Sequence, residues 1–361
     1  MKRILAATLS MILSVSLLAG CAAKQTPTAQ EAQKTEQTQQ SSADAQTPAQ
    51  EAVSYEKMDI TAGNAAQDGD SLDTAMDYFV EEFGRRTNGA VTGSVSPSSG
   101  LGGHSDMISA VQMGSMQLAE ATASVLSTVA PKFAIFDIPY MAPGSANAVY
   151  ELLSGEAGEI LNQDLIDNAG LRVIAWMCRT PRHVYSATHP VEKLEDWKGL
   201  KIRTMQSTAM TKAMELLGAE PQAISTAERY MALQTGVVDA AENNVAEIYN
   251  CAEYEVTKYL SKTGHMCAPN VMYVSEAWFQ SLSPEYQQMV LEIGEEAGRL
   301  ATDIESNSEA DFESKLVSEG GMTVNEVSEA EIARFREALA PLYKDYEQTL
   351  GADLIALFQG N

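Results

Sequence analysis

The chain has 361 residues and is strongly acidic, because 49 Asp and Glu against 24 Lys and Arg give a formal net charge of −25. This excess argues against a nucleic-acid-binding protein and against attachment to membranes through a polybasic surface, since both need clustered Lys and Arg. Hydrophobic residues make up 45% of the chain, and the length suits two lobes of ordinary domain size.

The first twenty residues have the pattern of a bacterial lipoprotein signal peptide. Lys2 and Arg3 precede an apolar run over 4–18, which as a helix spans roughly 23 Å and is too short for a bilayer core of about 30 Å. The sequence Leu-Ala-Gly-Cys at 18–21 resembles a lipobox, in which the cysteine is acylated after cleavage. We therefore expect a signal peptide over 1–20 and lipidation of Cys21, with an ordinary signal peptide and a chance cysteine as the alternative. The protein would then be extracytoplasmic, lipid-anchored at the outer face of the membrane or periplasmic.

Residues 21–55 are rich in Gln, Thr, Ala, Glu, Ser and Pro, with almost no large apolar side chain. Such a segment cannot bury enough surface to fold. We therefore expect a disordered tether between the lipidated cysteine and the folded body.

From Met58 onward, short β-like runs alternate with amphipathic helical patterns, which predicts an α/β fold. Gly and Asn-Gly turns separate these segments. The predicted strands are 58–62, 90–96, 171–177 and 201–203, and the predicted helices include 71–86 and 105–113.

Three further helix starts are indicated by their capping residues. Ser225 with Glu228, and Ser328 with Glu331, have the spacing of capping boxes. Pro284 after Ser283 suits a first helical position. The pattern that begins there continues to about Lys315 despite two glycines, so it predicts a helix long enough to connect two lobes.

The sequence lacks the motifs of common enzymes and cofactor sites. It contains no GxSxG elbow, Walker A loop, GxGxxG fingerprint, HExxH pair or EF-hand loop. The four histidines are widely spaced, and the cysteines that follow the lipobox fit no metal pattern. We expect no enzyme activity, no cofactor and no bound metal. Cys178, Cys251 and Cys267 are expected to be packed thiols, with one disulfide left open.

Several short motifs follow one another in a fixed order along the chain. They are DWKGLKIR at 196–203, LGAEP at 217–221, ERYMALQTGVVD at 228–239, EN at 242–243, YEVTKY at 254–259 and, upstream, RTNG at 86–89, LG at 101–102 and IPY at 138–140. Together they resemble the DctP-type substrate-binding proteins of tripartite ATP-independent periplasmic (TRAP) transporters. The most specific part covers 198–243, and the resemblance extends over about 60–298 and more loosely to the C-terminus.

The resemblance implies a bilobal, periplasmic-binding-protein-like clamshell with hinge strands and a long lobe-spanning helix. Its lobes would close around one small organic acid and deliver it to the small and large membrane subunits of an ion-coupled transporter. The implied lobe I is 56–180 with 269–308, and the implied lobe II is 181–268 with 309–361.

The resemblance also implies which residues bind the ligand. Arg203 matches the family arginine that pairs with the substrate carboxylate, and a guanidinium fits a carboxylate in two-pronged geometry. Arg182 matches a second family arginine, with Arg179 as a nearby competitor. Asn243 matches a ligand-binding amide, although capping of the next helix is an equal alternative. The remaining implied pocket residues are Gln206 and Thr226 in one lobe and Asn64, His104 and Thr122 in the other.

His104 and Thr122 carry no negative charge, which suggests a ligand whose second end is acidic or hydroxylated. Two other functions stay open: a lipid-anchored binding protein of the ABC type, and a surface hydrolase or transferase. The spacing from KGLKIR to ALQTGVVD disfavours the ABC type.

Overall fold

The computed structural model describes residues 55–360. The predicted signal peptide, Cys21 and the tether up to residue 54 lie outside the described residues. Between residues 55 and 360, no helix combines the length and the apolar character that a membrane span requires.

Eleven strands in the described part of the chain form two mixed sheets. The first sheet has the order β2-β1-β3-β10-β4, and the second has the order β11-β9-β5-β8-β6-β7. The strands are β1 (Met58–Gly63), β2 (Val91–Ser96), β3 (Leu118–Thr122), β4 (Leu171–Cys178), β5 (Arg182–Ser186), β6 (Lys201–Thr204), β7 (Glu220–Ala223), β8 (Ala240–Asn243), β9 (Tyr259–Met266), β10 (Pro269–Ser275) and β11 (Thr323–Glu326).

Helices cover both sheets, as the α/β prediction requires. Short 3₁₀ segments lie at Pro131–Asp137, Leu194–Trp197, Thr226–Glu228 and Glu253–Glu255. The α-helices are α1 (Ser71–Arg86), α2 (His104–Gln112), α3 (Ala123–Leu126), α4 (Ala146–Leu153), α5 (Glu156–Ala169), α6 (Thr208–Leu217), α7 (Arg229–Gln234), α8 (Val245–Asn250), α9 (Glu276–Ser281), α10 (Pro284–Ser318), α11 (Glu329–Ala338), α12 (Ala340–Leu350) and α13 (Ala352–Phe358).

The chain passes directly from one sheet to the other at two places. β4 of the first sheet leads into β5 of the second after three residues, and β9 returns to β10 after two. The C-terminal helices α12 and α13 pack against the 3₁₀ segment 131–137 and α5, and Phe358 lies edge-on to Phe136 with ring centroids 5.4 Å apart. The residue ranges of the two lobes stay a prediction.

The first helix confirms its sequence pattern. Leu72, Phe79 and Phe83 are buried on one face of α1, and the Asp70 carboxylate caps its start by accepting the Leu72 amide at 3.1 Å. Burial of this apolar face stabilises the helix, because most of the stability of protein helices comes from the packing of an amphipathic face.

The two predicted capping boxes are only partly present. The Ser328 hydroxyl accepts the Glu331 amide at 3.3 Å, but the Glu331 carboxylate accepts the Leu194 amide instead of closing the box. The prediction at Ser225 is wrong, because its hydroxyl donates to the Glu228 carboxylate at 2.7 Å and the chain there is a 3₁₀ turn.

The long helix α10 has 35 residues, and its two interior glycines are required by packing. A Cβ atom at Gly294 would lie 2.0 Å from the carbonyl oxygen of Ile174, and one at Gly298 would lie 2.6 Å from that of Trp176. Both carbonyls belong to β4, so the glycines allow the helix to approach the backbone of this strand closely. The two glycines weaken the helical pattern in the sequence because contact with β4, and not local helix propensity, requires them.

Replacing Gly294 by alanine should therefore destabilise the protein. At an open helix position Gly→Ala stabilises by up to about 1 kcal/mol, whereas overpacking against a fixed backbone costs about 1–3 kcal/mol. We expect a lower free energy of unfolding for Gly294→Ala in urea denaturation followed by circular dichroism. An increase in stability would show that α10 does not lie this close to β4.

Candidate ligand-binding site

The cleft between the two sheets is built where parallel strands end. β1, β2 and β3 are parallel to one another, and so are β6, β7 and β8. In open α/β sheets, ligands bind outside the carboxyl ends of such strands. Arg203 lies near the end of β6, Asn243 ends β8, and the antiparallel β5 begins with Arg182 at the same edge.

Two adjoining cavities occupy this cleft and share Ala65, His104 and Thr226. The outer cavity has a volume of about 370 Å³, which is enough for a small organic molecule. Its other lining residues are Ser99, Gly103, Ser105, Asp106, Val125, Arg203, Gln206, Ser225, Ala227 and Glu228. The inner cavity is also lined by Ala66, Leu72, Glu120, Thr122, Arg179, Arg182, Met205, Arg229, Asn243, Glu247 and Asn270.

Arg203 is buried and has no ionic partner within residues 55–360. It is 1% exposed, and its Nε donates to the Ile224 carbonyl at 2.8 Å. Its Nη1 is buried without a hydrogen bond, and within residues 55–360 no carboxylate lies within 4.0 Å of the guanidinium. Burial, followed by repulsion from Arg229, lowers the pKa of Arg203 to about 10, so the side chain stays charged at neutral pH.

Arg182 is held by a carboxylate of its own protein. Its guanidinium pairs with the buried Glu242 through both carboxylate oxygens, and its Nη1 donates to Asn243 Oδ1 at 2.6 Å. Burial alone raises the pKa of Glu242, but Arg182 and His265 lower it to about 2. The Arg182 charge is therefore already balanced before any ligand arrives.

The side chain of Asn243 is placed by Arg182 and does not cap a helix. Its Oδ1 also accepts the Asn244 amide at 3.0 Å, while Asn244 itself caps α8 by accepting the Glu247 amide at 2.8 Å. The capping alternative therefore belongs to the next residue, and Asn243 lines the inner cavity.

Arg179 belongs to an ionic network that joins both sides of the cleft. Its guanidinium lies 3.1 Å from Asp70, 2.9 Å from Glu305 and 3.4 Å from Glu247. Asp70 caps α1 on the first side, whereas Glu247 lies in α8 on the second and also pairs with Arg229 at 3.0 Å. These contacts connect α1, α8 and α10.

The first-sheet side of the cleft presents a buried carboxylate. Glu120 in β3 is fully buried, accepts a hydrogen bond from Asn270 in β10, and lies 3.3 Å from His104 Nε2. Burial acts to raise the pKa of Glu120, but His104 and the hydrogen bonds outweigh it and leave the pKa below its usual value. Thr122 lines the same cavity and caps α3 by accepting the Val125 amide.

The remaining expected residues fall in different places. Gln206 is exposed and lines the outer cavity, and Thr226 lines both cavities. Asn64 is fully buried, donates to Asp73 at 2.9 Å, and is absent from the lining of both cavities. The structure thus brings together all the expected site residues except Asn64.

Sequence reasoning missed Glu120, Asn270 and Arg229, which also line the inner cavity. Glu120 lies in the observed strand β3 between Ala119 and Ala121, and an acidic residue between apolar neighbours in a buried strand is unusual.

Asp137 connects the two sides of the cleft next to the Arg203 strand. Its carboxylate accepts hydrogen bonds from Ser124 in α3 and from Ser207, which caps α6 directly after Gln206. Burial raises the pKa of Asp137 to about 6 against the lowering effect of these serines. This carboxyl therefore titrates closer to neutral pH than an ordinary Asp, at a place where it contacts both sides of the cleft.

The described part of the chain has three cysteines, all free: Cys178 and Cys267 are buried, and Cys251 is partly buried. Burial raises the pKa of all three thiols, so they are inert at neutral pH. The disulfide that the sequence left open is absent between these three residues. Among residues 55–360, no group of three or more His, Cys, Asp or Glu side chains is arranged to hold a metal ion.

Comparison with known proteins identifies relatives over most of the chain. A family model described as DctP, bacterial extracellular solute-binding protein, family 7, matches residues 62–349. The 2,3-diketo-L-gulonate-binding periplasmic protein YiaO of Escherichia coli is 30% identical over 292 residues, covering 79% of this chain and 87% of that protein.

Solved structures are similar over the same region. The TRAP periplasmic solute-binding protein of Sulfitobacter sp. NAS-14.1 with bound β-D-galacturonate has a TM-score of 0.79 at 28% identity. The corresponding protein of Roseobacter denitrificans with bound β-D-glucuronate has a TM-score of 0.80 at 28% identity. In both cases, 84% of this chain and 100% of the solved chain are covered.

The raised pKa of Asp137 predicts a specific pH dependence of stability. The native state binds a proton up to about pH 6, whereas an unfolded Asp releases it near pH 3.9. The contribution of Asp137 to stability is therefore fully present below about pH 4 and is lost as the pH rises through 6. By linkage it amounts to the order of 3 kcal/mol.

The measurement is urea unfolding of wild type and Asp137→Asn at several pH values from 4 to 7. The stability of wild type relative to Asp137→Asn should fall across this range. Asp167→Asn, at an exposed position of α5, serves as the matched control and should show no such trend. A flat difference for Asp137→Asn would contradict the raised pKa.

Proposed function

This chain belongs to family 7 of the bacterial extracellular solute-binding proteins, the DctP family, and we propose that it captures a small organic acid whose carboxylate is bound by Arg203. The resemblance predicted from the sequence motifs is confirmed, and so is the bilobal α/β fold. Proteins of this family are binding proteins and not enzymes, which confirms the expectation of no enzyme activity.

The observation that carries the proposal is that the buried Arg203 has no carboxylate partner among the residues that the structure describes. A buried cation without a partner is costly, and a carboxylate that binds it in two-pronged geometry removes this cost. The ligands named for the relatives agree with this chemistry, because diketogulonate, galacturonate and glucuronate each carry one carboxylate. Arg182, Asn243, Gln206, Thr226, His104 and Thr122 are proposed to complete the site through hydrogen bonds. Asn64 does not line either cavity and is proposed to stabilise the site indirectly, through its hydrogen bond to Asp73.

The chain's own acidity does not oppose binding of an anion. Exposed carboxylates are screened over about 8–10 Å at physiological salt, whereas Arg203 acts at contact distance inside the cleft. Local complementarity therefore decides the affinity.

Substitution of Arg203 by methionine should separate ligand binding from stability. The variant loses the carboxylate contact, which in a desolvated cleft is worth about 2–5 kcal/mol, so the Kd should rise at least about 30-fold. The ligand-free protein should be as stable as wild type or more so, because an unpaired buried charge is removed. Isothermal titration and thermal unfolding with and without galacturonate, glucuronate, galactonate and succinate test both expectations.

Arg182→Met is the informative contrast. It leaves Glu242 buried without its cation, which should lower the stability of the ligand-free protein by about 3–5 kcal/mol. Arg85→Met, at an exposed position of α1 paired with Glu82, controls for loss of charge alone. Full ligand-induced stabilisation in Arg203→Met would contradict the proposed role.

We further propose that the bound acid is delivered to the small and large membrane subunits of a TRAP transporter. This is supported by the TRAP proteins among the structural relatives. The alternative of an ABC-type binding protein has no observation in its favour beyond the fold that both classes share.

Anchoring through Cys21 is also proposed, on the basis of the Leu-Ala-Gly-Cys sequence alone. Acyl chains at this residue would hold the protein at the membrane, because more than one chain gives stable anchoring. In cells fed labelled palmitate, wild type should incorporate the label and sediment with membranes, and Cys21→Ser should do neither. Cys251→Ser is the matched control and should behave as wild type. If Cys21→Ser incorporates no palmitate but still sediments with membranes, lipid anchoring at this residue is contradicted.

A further inference from the structure

Asp137 is a buried carboxyl group that accepts hydrogen bonds from both sides of the cleft. It is 0% exposed, and Ser124 and Ser127 donate to it from the α3 region next to the first sheet, the latter at 3.3 Å. Ser207, which follows β6 of the second sheet, donates from the other side. Within residues 55–360, no Lys, Arg or His forms an ion pair with this carboxylate. A buried carboxylate without a cation is costly, and protonation removes that cost.

Ser207 holds the turn that connects β6 to α6. Its backbone amide donates to the Met205 carbonyl at 2.8 Å, so Gln206 lies at the tip of a tight turn. Its hydroxyl also caps the start of α6. Gln206 lines the outer cavity together with Arg203. The contact between Asp137 and Ser207 therefore fixes the position of a turn that forms part of the ligand pocket.

The titratable groups around Asp137 supply no cation to balance it. Burial chiefly raises its pKa against the three serine hydroxyls, and Glu242 of β8 adds to the rise. Burial, followed by Asp137 itself, raises the pKa of Tyr346 in α12. The 3₁₀ segment that ends at Asp137 packs mainly against α3, α5, α6 and α12, and α3 has no titratable side chain.

The other titratable residues of this segment and of the elements packed against it are bound elsewhere or carry no contact with Asp137. Lys212 of α6 is paired with Asp345 of α12, and Asp164 of α5 accepts the Lys132 amide at 2.9 Å. The remaining ones are Glu156, Glu159, Asp167, Glu215, Tyr343, Lys344 and Glu347.

We propose that Asp137 is a positioning residue of the ligand site, and that closure of the cleft around the bound acid is coupled to the uptake of a proton by its carboxyl group. The proton comes from solvent and stays on a carboxyl oxygen of Asp137, so the ligand itself is not changed. This inference rests on the proposed function, since it requires the two sides to close around an organic acid.

The direction of the coupling follows from burial. In the closed structure burial raises the pKa of Asp137 to about 6, whereas an Asp in water has a pKa near 3.9. Opening of the cleft withdraws Ser207 and admits water to the carboxyl, which then loses its proton at neutral pH. By linkage, the closed and liganded form gains stability as the pH falls, so the affinity should rise about tenfold from pH 7 to pH 5.

Isothermal titration in two buffers of different ionisation enthalpy counts the protons that are taken up on binding. The probe is whichever of galacturonate, glucuronate, galactonate and succinate binds wild type most tightly. At pH 5, wild type should take up about 0.8 proton more than Asp137→Asn, and at pH 7.5 the difference should be close to zero. Protons exchanged by the acid or by histidines cancel in this difference.

Asp137→Asn keeps the shape of the side chain and removes its titration, so its Kd should lack the tenfold change between pH 7 and pH 5. Asp167→Asn, at an exposed position of α5, is the matched control and should take up protons as wild type does. If Asp137→Asn does not fold, Asp137→Ser takes its place in the same difference.

Two serine variants test the positioning role separately from the titration. Ser207→Ala removes the contact across the cleft and should raise the Kd about fivefold at pH 5, the effect of one lost hydrogen bond. Ser127→Ala removes a hydroxyl on the first-sheet side only and should leave the Kd within about twofold. Equal Kd values for these two variants would overturn the positioning role.

The outcomes separate this inference from the function on which it depends. Equal proton uptake by wild type and Asp137→Asn would overturn the coupling. Release of protons by wild type relative to the variant would overturn it too, because it would show that Asp137 stays buried when the cleft opens. In both cases the acid still binds and the proposed function stands. Absence of binding by all four acids would contradict the proposed function itself.

Discussion

The proposed function depends on a single positive charge, that of Arg203, which is enclosed between two α/β lobes. Arg203 is 1% exposed, and within residues 55–360 its guanidinium has no carboxylate partner and makes one hydrogen bond, from Nε to the Ile224 carbonyl. The neighbouring arginines instead form ion pairs within the protein. Of the buried arginines around the cleft, Arg203 is therefore the one available to pair with an anionic ligand, whereas the others are already paired with carboxylates of the protein.

The fold places this charge through strand direction and close helix packing. Parallel β6, β7 and β8 end at one edge of the second sheet, and parallel β1, β2 and β3 end at the facing edge of the first. The long helix α10 approaches the backbone of β4 through two glycines and carries Glu305 to Arg179. Arg179 and Asp137 then connect the two sides by an ion pair with Asp70 and by serine hydrogen bonds. These buried polar links join the two sides of the cleft.

Much of the fold could be predicted from the sequence, because local signals agree with the tertiary structure. The apolar spacing in α1, the proline at the start of α10 and the β-like run of β4 all lie within a few residues of the observed elements. Ser225 shows the limit of such reasoning. Its spacing to Glu228 predicts a capping box, but its hydroxyl donates to the Glu228 carboxylate instead of accepting a backbone amide. The two glycines of α10 made the helix harder to predict, because they are required by contact with β4, which is distant in the sequence.

The site residues that belong to the family motifs could be predicted from the sequence. Those whose contacts depend on the register of paired strands could not. Arg203, Arg182 and Asn243 came from the family motifs, and the structure brings them to one edge of the second sheet. The place of Glu120 in the site could not be predicted, because its contact with Asn270 depends on the pairing of β3 with β10. Whether an arginine is already paired is likewise a property of the folded chain: Arg182 and Arg203 read alike in the sequence.

A crystal structure of the protein with its co-purified or soaked acid tests the central claim most directly. The account predicts that both oxygens of the ligand carboxylate lie within hydrogen-bond distance of the Arg203 guanidinium, with Arg182 still bound to Glu242. A ligand whose carboxylate lies elsewhere in the cleft, with Arg203 still unpaired, would contradict it.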